Sequence, residues 1–273
     1  MSPSWNETLR VSLSPDRVGL VRLDRQKHLL EARVVECRLP EAGKLTWEPA
    51  LEAFREGLAA LNKKASNISV VLSNHFVRYT LVPWVEQIKG EEEKLAHTRN
   101  CFEQVYGSAA STWDIRLSNG SEGETQVACA VDTGLLSALD KATASAGLKL
   151  RSVQPYLMTA FNHWRQKLDG PLVWFLLAEQ GRMCLSTLTD GKWSELQNLY
   201  AGPGWTKELP TILSRQRRLG GLGDDGHIFV CASDESAEKV LVDEGENVSS
   251  LHLPPTPGVA AGQADFLEMA MCG

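Results

Sequence analysis

Residues 172–199 read LVWFLLAEQGRMCLSTLTDGKWSELQNL. Two turn signals, Glu-Gln-Gly at 179–181 and Asp-Gly at 190–191, divide this stretch into three runs that are apolar or alternating. Such turns typically join antiparallel strands as hairpins. The pattern from here predicts strands over 172–177, 183–188 and 193–199, a helix over 205–219 and a strand over 227–231. A helix over 235–242 and a strand near 248–253 are predicted to follow.

The amino-terminal part of the chain carries the same order of elements. Apolar residues alternate along 9–13 and again from Val18, on either side of the turn Ser14-Pro15-Asp16, which predicts another hairpin. The rest of this part predicts a third strand over 31–39, a helix over 49–61 and a strand over 68–72. Sequence identity between the two halves is negligible, so the order of elements repeats while the residues do not.

A different segment interrupts the first copy. Over about 76–146 the pattern predicts strand, helix, strand, strand and helix, which we interpret as a ferredoxin-like α+β insert. A strand over 149–153 and a helix over 155–168 complete this part. We therefore expect an α/β chain with a first lobe at 1–168, including the insert, and a second lobe at 169–273.

Composition and charge exclude several classes of protein. The chain has 273 residues, 43% of them hydrophobic, and 28 basic against 34 acidic residues give a net charge of −6. This balance argues against nucleic-acid binding, which depends on clustered cations. The longest nearly uncharged apolar run, 171–178, is far shorter than the roughly 20 residues of a membrane-spanning helix. With no signal-peptide pattern and six scattered cysteines, we expect a reduced protein in the cytoplasm.

Motifs for catalysis or metal binding are not found in the sequence. The glycine-rich run 219–226 follows a helix and contains Asp224 and Asp225, so it predicts a helix end and a loop rather than a phosphate cradle. The six histidines lack HExxH spacing, and no GxSxG elbow occurs. From these residues we predict no catalytic, cofactor-binding or metal-ligating side chain.

Two stretches carry a resemblance to a known family. Residues 70–83, VVLSNHFVRYTLVP, and residues 126–148, with QVACAVD, a helix and Ala-Gly-Leu, resemble the actin-like ATPase superfamily. More narrowly, they resemble PilM-type pilus assembly proteins and the cytoplasmic domain of the type II secretion L protein. The resemblance implies a two-lobed actin-like (ribonuclease H-like) fold with an α+β insert in the first lobe.

The sequence departs from the nucleotide-binding members of that superfamily, which place an Asp-x-Gly-Thr or Asp-x-Gly-Ser turn between the first two strands of each lobe. The first turn here, 13–17, has a proline and no glycine, and the second, 179–182, lacks the following Ser or Thr. Where such proteins carry a Gly-Gly pair, this chain has Ala-Ser-Asp-Glu at 232–235. Each lost donor or added carboxylate would cost about 1–3 kcal/mol, so the comparison implies a degenerate nucleotide site.

The resemblance leads to one functional expectation with two alternatives. We expect a non-catalytic cytoplasmic scaffold or assembly protein of a type IV pilus or type II secretion-like inner-membrane platform, with no cofactor. Its partner would be a cytoplasmic segment of an inner-membrane protein. We expect the insert and exposed aromatic side chains such as Trp84 to bind that segment. The first alternative is a divergent ATPase or sugar-kinase-like phosphotransferase with Glu179 and Asp16 as metal ligands. The second is a small-molecule sensor.

Overall fold

The computed structural model describes residues 7–38, 46–61, 65–202, 204–220, 226–232, 240, 247–252, 267 and 269–272. The chain divides into two compact units. Unit 1 comprises Met1–Val77, Asp132–Asn162 and Leu253–Gly273, and unit 2 comprises Arg78–Val131 and His163–His252.

The elements follow one another in the predicted order. The strands are β1 (Thr8–Leu13), β2 (Arg17–Leu23), β3 (Leu29–Glu36), β4 (Asn67–Leu72), β5 (Val77–Val82), β6 (Trp113–Leu117), β7 (Gln126–Asp132), β8 (Lys149–Pro155), β9 (Leu172–Glu179), β10 (Gly181–Thr189), β11 (Lys192–Ala201), β12 (His227–Ala232) and β13 (Val248–Ser250). The helices are α1 (Glu48–Ala60), α2 (Glu91–Tyr106), α3 (Thr133–Ser145), α4 (Tyr156–Trp164) and α5 (Trp205–Gly220), with a 3₁₀ helix at Gly107–Thr112.

Unit 1 is built on a five-stranded sheet in the order β3-β2-β1-β4-β8. The pairs β1–β2 and β2–β3 are antiparallel, whereas β4 is parallel to β1 and β8 is parallel to β4. Parallel neighbours need a crossover connection, and α1 and α3 lie in the segments that lead to β4 and β8. The predicted alternation is confirmed, since Leu9, Val11 and Leu13 are buried.

Helix α1 packs closely on this sheet. Its predicted apolar stripe is confirmed, because Ala50, Leu51, Phe54 and Leu58 are all buried, and a proline lies in its first turn. A Cβ atom built on Gly57 would lie 2.6 Å from Cδ1 of Leu20 in β2. The glycine therefore allows helix and sheet to approach more closely than any other residue would.

The second sheet, in unit 2, has the order β11-β10-β9-β12-β13, which matches the first sheet strand for strand. Antiparallel pairs join β9, β10 and β11, and parallel pairs join β9, β12 and β13. Its core lies between the sheet and α5, where Trp174, Leu185, Leu209 and Leu213 are buried together. The three hairpin strands, the helix and the fourth strand predicted from 172–231 are thus confirmed.

A three-stranded sheet of order β5-β7-β6 forms the insert, which also belongs to unit 2. Helix α2 covers it through the buried side chain of Phe102, which lies against Tyr106 and Trp113 with ring centroids 5.9 and 6.4 Å away. An ion pair of 3.3 Å between Lys192 and Glu124 joins β11 to the segment before β7.

The predicted ferredoxin-like unit is not confirmed. That fold needs a second helix and a fourth strand on the same sheet, but α3 and β8 belong to unit 1, where β8 pairs with β4. The carboxylate of Asp132 caps α3 by accepting from the backbone N–H groups of Gly134 and Leu135 at 2.7 and 3.2 Å. Chain order alone did not reveal that α3 lies outside the insert, whereas the strand over 149–153 was placed outside it from the sequence.

Three further predictions concern the second half and the carboxyl end. The strand near 248–253 is confirmed as β13, while the helix predicted over 235–242 lies almost wholly outside the described residues. Residues 269–272 are helical, and Leu267 and Ala270 pack against Val21 and Leu23. The lobe boundary expected between 168 and 169 stays a prediction, although all strands of the first sheet precede it and all strands of the second follow it.

Candidate functional site

The turn between β1 and β2 is closed by its own hydrogen bonds. The backbone N–H of Ser14 donates to the carbonyl oxygen of Arg17 at 3.0 Å, and Pro15 has no N–H to offer. Nε of Arg17 donates to the carboxylate of Asp16 at 2.7 Å. The phosphotransferase alternative requires Asp16 as a metal ligand. Its carboxylate is instead paired with the guanidinium of Arg17.

A thiol packs beneath this turn. The backbone N–H of Cys37 donates to the carbonyl oxygen of Asp16 at 2.7 Å, and its Sγ lies 3.6 Å from the carbonyl oxygen of Ser14. Burial, and then the negative charge of Asp16, raise the pKa of the Cys37 thiol to about 12. The thiol is protonated at neutral pH and acts as a weak donor rather than as a nucleophile.

Polar side chains just after β4 form hydrogen bonds with backbone groups of unit 1. The hydroxyl of Ser73 accepts from the backbone N–H of His75 at 3.1 Å. The side-chain oxygen of Asn74 accepts from the backbone N–H of Leu157 at 3.2 Å, so it satisfies one of the open donors at the start of α4. Both Ser73 and Asn74 are fully buried, and sequence reasoning did not single out either as a helix cap, because 83 residues separate Asn74 from Leu157.

The turn between β9 and β10 has a different character. Glu179 and Arg182 face each other across a two-residue loop, and Gly181 has the positive φ of 78° that such a turn requires. Nε of Arg182 is buried and has no hydrogen-bond partner in the described part of the chain. An arginine thus follows the glycine where nucleotide-binding relatives place Ser or Thr.

A second arginine lies near this turn, within the same unit. The pKa of the Arg78 guanidinium is lowered, first by burial and then by the positive charge of Arg182. The hydroxyl of Tyr106, close to Arg78, donates to the carbonyl oxygen of Tyr79 at 3.1 Å. This arrangement brings two guanidinium groups near the second turn, which also carries the acid Glu179. The added negative charge expected from the sequence concerned the segment 232–235 instead. The acids behind that expectation, Asp234 and Glu235, lie outside the described residues.

The insert presents several apolar side chains to solvent. Trp84 is 42% exposed on the segment after β5, and Leu95 and Val105 of α2 are 44% and 62% exposed. Surfaces that bind another protein are enriched in aromatic side chains, whereas singly exposed hydrophobic residues also occur on ordinary surfaces.

Within the described ranges, no three side chains of His, Cys, Asp or Glu come together as metal ligands would. None of the described helices combines the length and the apolar character that a bilayer crossing requires.

The fold is shared with solved structures at low sequence identity. A Bacteroides thetaiotaomicron protein with an actin-like ATPase fold and unknown function superposes with a TM-score of 0.65 at 9% identity, covering 98% of this chain and 96% of the other. The chain has the actin-like ATPase fold. No family model matches the sequence, and no curated protein does.

Two other solved structures bear on the resemblance drawn from the sequence. One is a chain of the PilM–PilN type IV pilus biogenesis complex, with a TM-score of 0.65, 15% identity and coverage of 97% and 96%. The other is the cytoplasmic domain of EpsL, an inner-membrane component of the type II secretion system of Vibrio cholerae, with a TM-score of 0.55, 12% identity and coverage of 98% and 95%. The resemblance to PilM-type and secretion L proteins is thus confirmed as a likeness of fold.

Proposed function

We propose that this chain is a non-catalytic cytoplasmic scaffold or assembly protein of a type IV pilus or type II secretion-like inner-membrane platform. In this role it binds a cytoplasmic segment of an inner-membrane pilus or secretion protein, and it takes no nucleotide. The full-length likeness of fold to a PilM–PilN chain and to EpsL supports the setting.

The observation that carries the proposal is the first turn. A nucleotide-binding actin-like protein needs free backbone donors and a free carboxylate there, to hold phosphate and metal. Here Pro15 removes one donor, the N–H of Ser14 is used within the hairpin, and the carboxylate of Asp16 is held by Arg17 at 2.7 Å. The turn is therefore built for a structural role in unit 1.

Isothermal titration of the full chain with ATP and Mg²⁺ tests the loss of nucleotide binding. We expect no heat of binding in the micromolar range, and a micromolar dissociation constant would contradict the proposal.

A second measurement tests the partner: peptides with the cytoplasmic tails of single-span membrane proteins encoded beside this chain are immobilised and probed with it. At least one tail should bind when its scrambled version does not, and failure of every tail would overturn the scaffold role.

One observation favours the phosphotransferase alternative. The guanidinium groups of Arg78 and Arg182, close together near the second turn, would suit a phosphate group. If this alternative were right, Mg²⁺-dependent ATP turnover would be measurable and would be lost in E179Q, while E122Q, which changes an exposed acid of the insert, would keep it. We expect the wild-type chain to release no more phosphate than E179Q.

A further inference from the structure

The outer face of α5 is exposed and basic. Towards the core this helix buries Trp205, Leu209, Leu213 and Gln216, which accounts for its fixed position on the second sheet. Lys207, Glu208, Thr211, Arg215 and Arg218 are exposed to solvent. From Lys207, the residues Thr211, Arg215 and Arg218 follow at spacings of four, four and three. Residues at these spacings share one face of an α-helix, so three cations and one hydroxyl form a stripe along it, with the acid Glu208 near its amino-terminal end.

A groove of about 470 Å³ runs along this stripe. The described residues that line it are Pro210, Thr211, Ser214, Arg215 and Arg218. Its volume falls within the range of about 300–1,000 Å³ that is usual for binding sites. The lining thus combines two hydroxyl groups, two guanidinium groups and one proline ring, with no acidic side chain among these residues.

The two arginines of the groove are not neutralised within the described part of the chain. Arg215 and Arg218 are both exposed, and no ion pair is formed by either of them there. They lie three residues apart on one helix face, where like charges repel, and the acid that precedes them on the helix, Glu208, is seven residues before Arg215. A position near the helix carboxyl end favours cations in general, but the helix dipole does not explain why they border a groove.

We propose that this groove docks an acidic segment of a partner protein, with Asp or Glu side chains paired to Arg215 and Arg218. The inference rests on the proposed scaffold function and names the chemistry of the partner. A carboxylate accepts two parallel hydrogen bonds from a guanidinium, and the hydroxyls of Thr211 and Ser214 can bond the polar backbone of an extended peptide. The groove is a local excess of positive charge on a chain of net charge −6, which selects acidic over basic partners.

Other anionic partners fit the groove less well. A helix that binds a lipid surface inserts apolar side chains into it, whereas the apolar face of α5 is buried against its own sheet and Pro210 is the sole apolar residue lining the groove among those described. Nucleic-acid binding draws on many clustered cations, and the groove offers two guanidinium groups within a net negative chain.

Fluorescence anisotropy with a labelled decaglutamate peptide tests the groove on the full chain at low salt. We expect saturable binding that weakens at high salt, and a loss of about 10-fold or more in affinity in R215E/R218E. The matched control is R55E/R165E, which reverses two exposed arginines, one in α1 and one in the turn after α4, with the same change in net charge. The control should keep the wild-type affinity, and circular dichroism should show that both variants fold.

Three outcomes would overturn the proposal. The wild-type chain does not bind decaglutamate, or the control variant loses as much affinity as R215E/R218E, or phosphatidylserine vesicles bind with the same dependence on Arg215 and Arg218 while the peptide does not. The binding experiment with membrane-protein tails, described under the proposed function, distinguishes failure of the groove proposal from failure of the scaffold role. If a tail binds R215E/R218E as well as it binds the wild type, the scaffold role stands and the groove is not the docking site. If decaglutamate binds through Arg215 and Arg218 but no tail binds, the groove takes acidic peptides and the scaffold role fails.

Discussion

The carboxylate of Asp16 lies 2.7 Å from Nε of Arg17, and its negative charge also acts on the thiol of Cys37. These three residues surround the first hairpin turn of an actin-like fold. Asp16 is already paired with Arg17, and burial keeps the thiol of Cys37 protonated. The turn therefore offers neither a free metal ligand nor a nucleophile at neutral pH. This state can be measured through the thiol.

Cys37 should react very slowly with iodoacetamide at pH 8. A thiol with a pKa of about 12 is roughly 0.01% thiolate at that pH. The D16N variant should react faster, since the carboxylate is the second cause of the raised pKa, but burial remains and should keep the rate well below that of a small free thiol. Peptide mass spectrometry reports each cysteine separately. D190N, an exposed acid in another hairpin turn, should leave Cys37 unchanged, and an equal effect of both variants would contradict this account.

The same thiol predicts a loss of stability in alkali. Its pKa is raised from 9.0 to about 12 in the folded chain, so the stabilisation is present below pH 9 and is lost as pH rises towards 12, because the unfolded thiol ionises first. The C37S variant lacks this group and should show a smaller decline in the free energy of unfolding above pH 9. Urea unfolding of both chains checks this, and identical declines would count against it.

Replacing Gly57 by Ala should destabilise unit 1. Alanine favours a helix over glycine by about 1 kcal/mol, but its Cβ would lie 2.6 Å from Cδ1 of the fully buried Leu20, and overpacking of this kind costs about 1–3 kcal/mol. The double variant L20A/G57A removes the clash, so adding G57A to L20A should stabilise the chain. Urea unfolding of the four proteins decides, and additive effects of the two substitutions would contradict the packing argument.

Asn74 should matter for stability although it lies in no helix or strand. The N74A variant leaves the buried N–H of Leu157 without the acceptor it has at 3.2 Å, which costs about 1–3 kcal/mol. N119A, at an exposed asparagine of the insert, should change the free energy of unfolding by less than about 0.5 kcal/mol. Equal effects in the two variants would show that the hydrogen bond to α4 contributes nothing.

The success of the sequence-based predictions depended on how local each signal was. The hairpin of β9 and β10 and the buried stripe of α1 were predictable, because Gly181 sets the turn and the apolar spacing from Ala50 to Leu58 sets the helix face. These signals act within a few residues. Their order along the chain, together with the resemblance of residues 70–83 and 126–148 to a known family, led to the predicted actin-like fold.

The failures concerned contacts between distant residues. The pairing of β8 with β4 joins Lys149 to Asn67, and no local pattern indicated that α3, which leads to β8, would lie outside the insert. For the candidate site, Pro15 and the missing glycine of the first turn were read from sequence as unsuited to phosphate, but the partner of Asp16 required coordinates. The proximity of Arg78 and Arg182 is likewise a tertiary feature, since about a hundred residues lie between them.

The most severe single substitution that we expect is at Gly226, just before β12. A Cβ atom there would lie 2.6 Å from Nε1 and 2.7 Å from Cδ1 of Trp174, whose rigid indole is fully buried in β9. Because neither ring nor strand can move aside, G226A should cost stability at the upper end of about 1–3 kcal/mol or beyond it and should shift the tryptophan fluorescence. G204A is the matched control, since a Cβ at Gly204 meets nothing within 4 Å, and the change from glycine to alanine just before α5 should cost about 1 kcal/mol or less. A stable G226A chain with unchanged fluorescence would refute the close packing of β12 on Trp174.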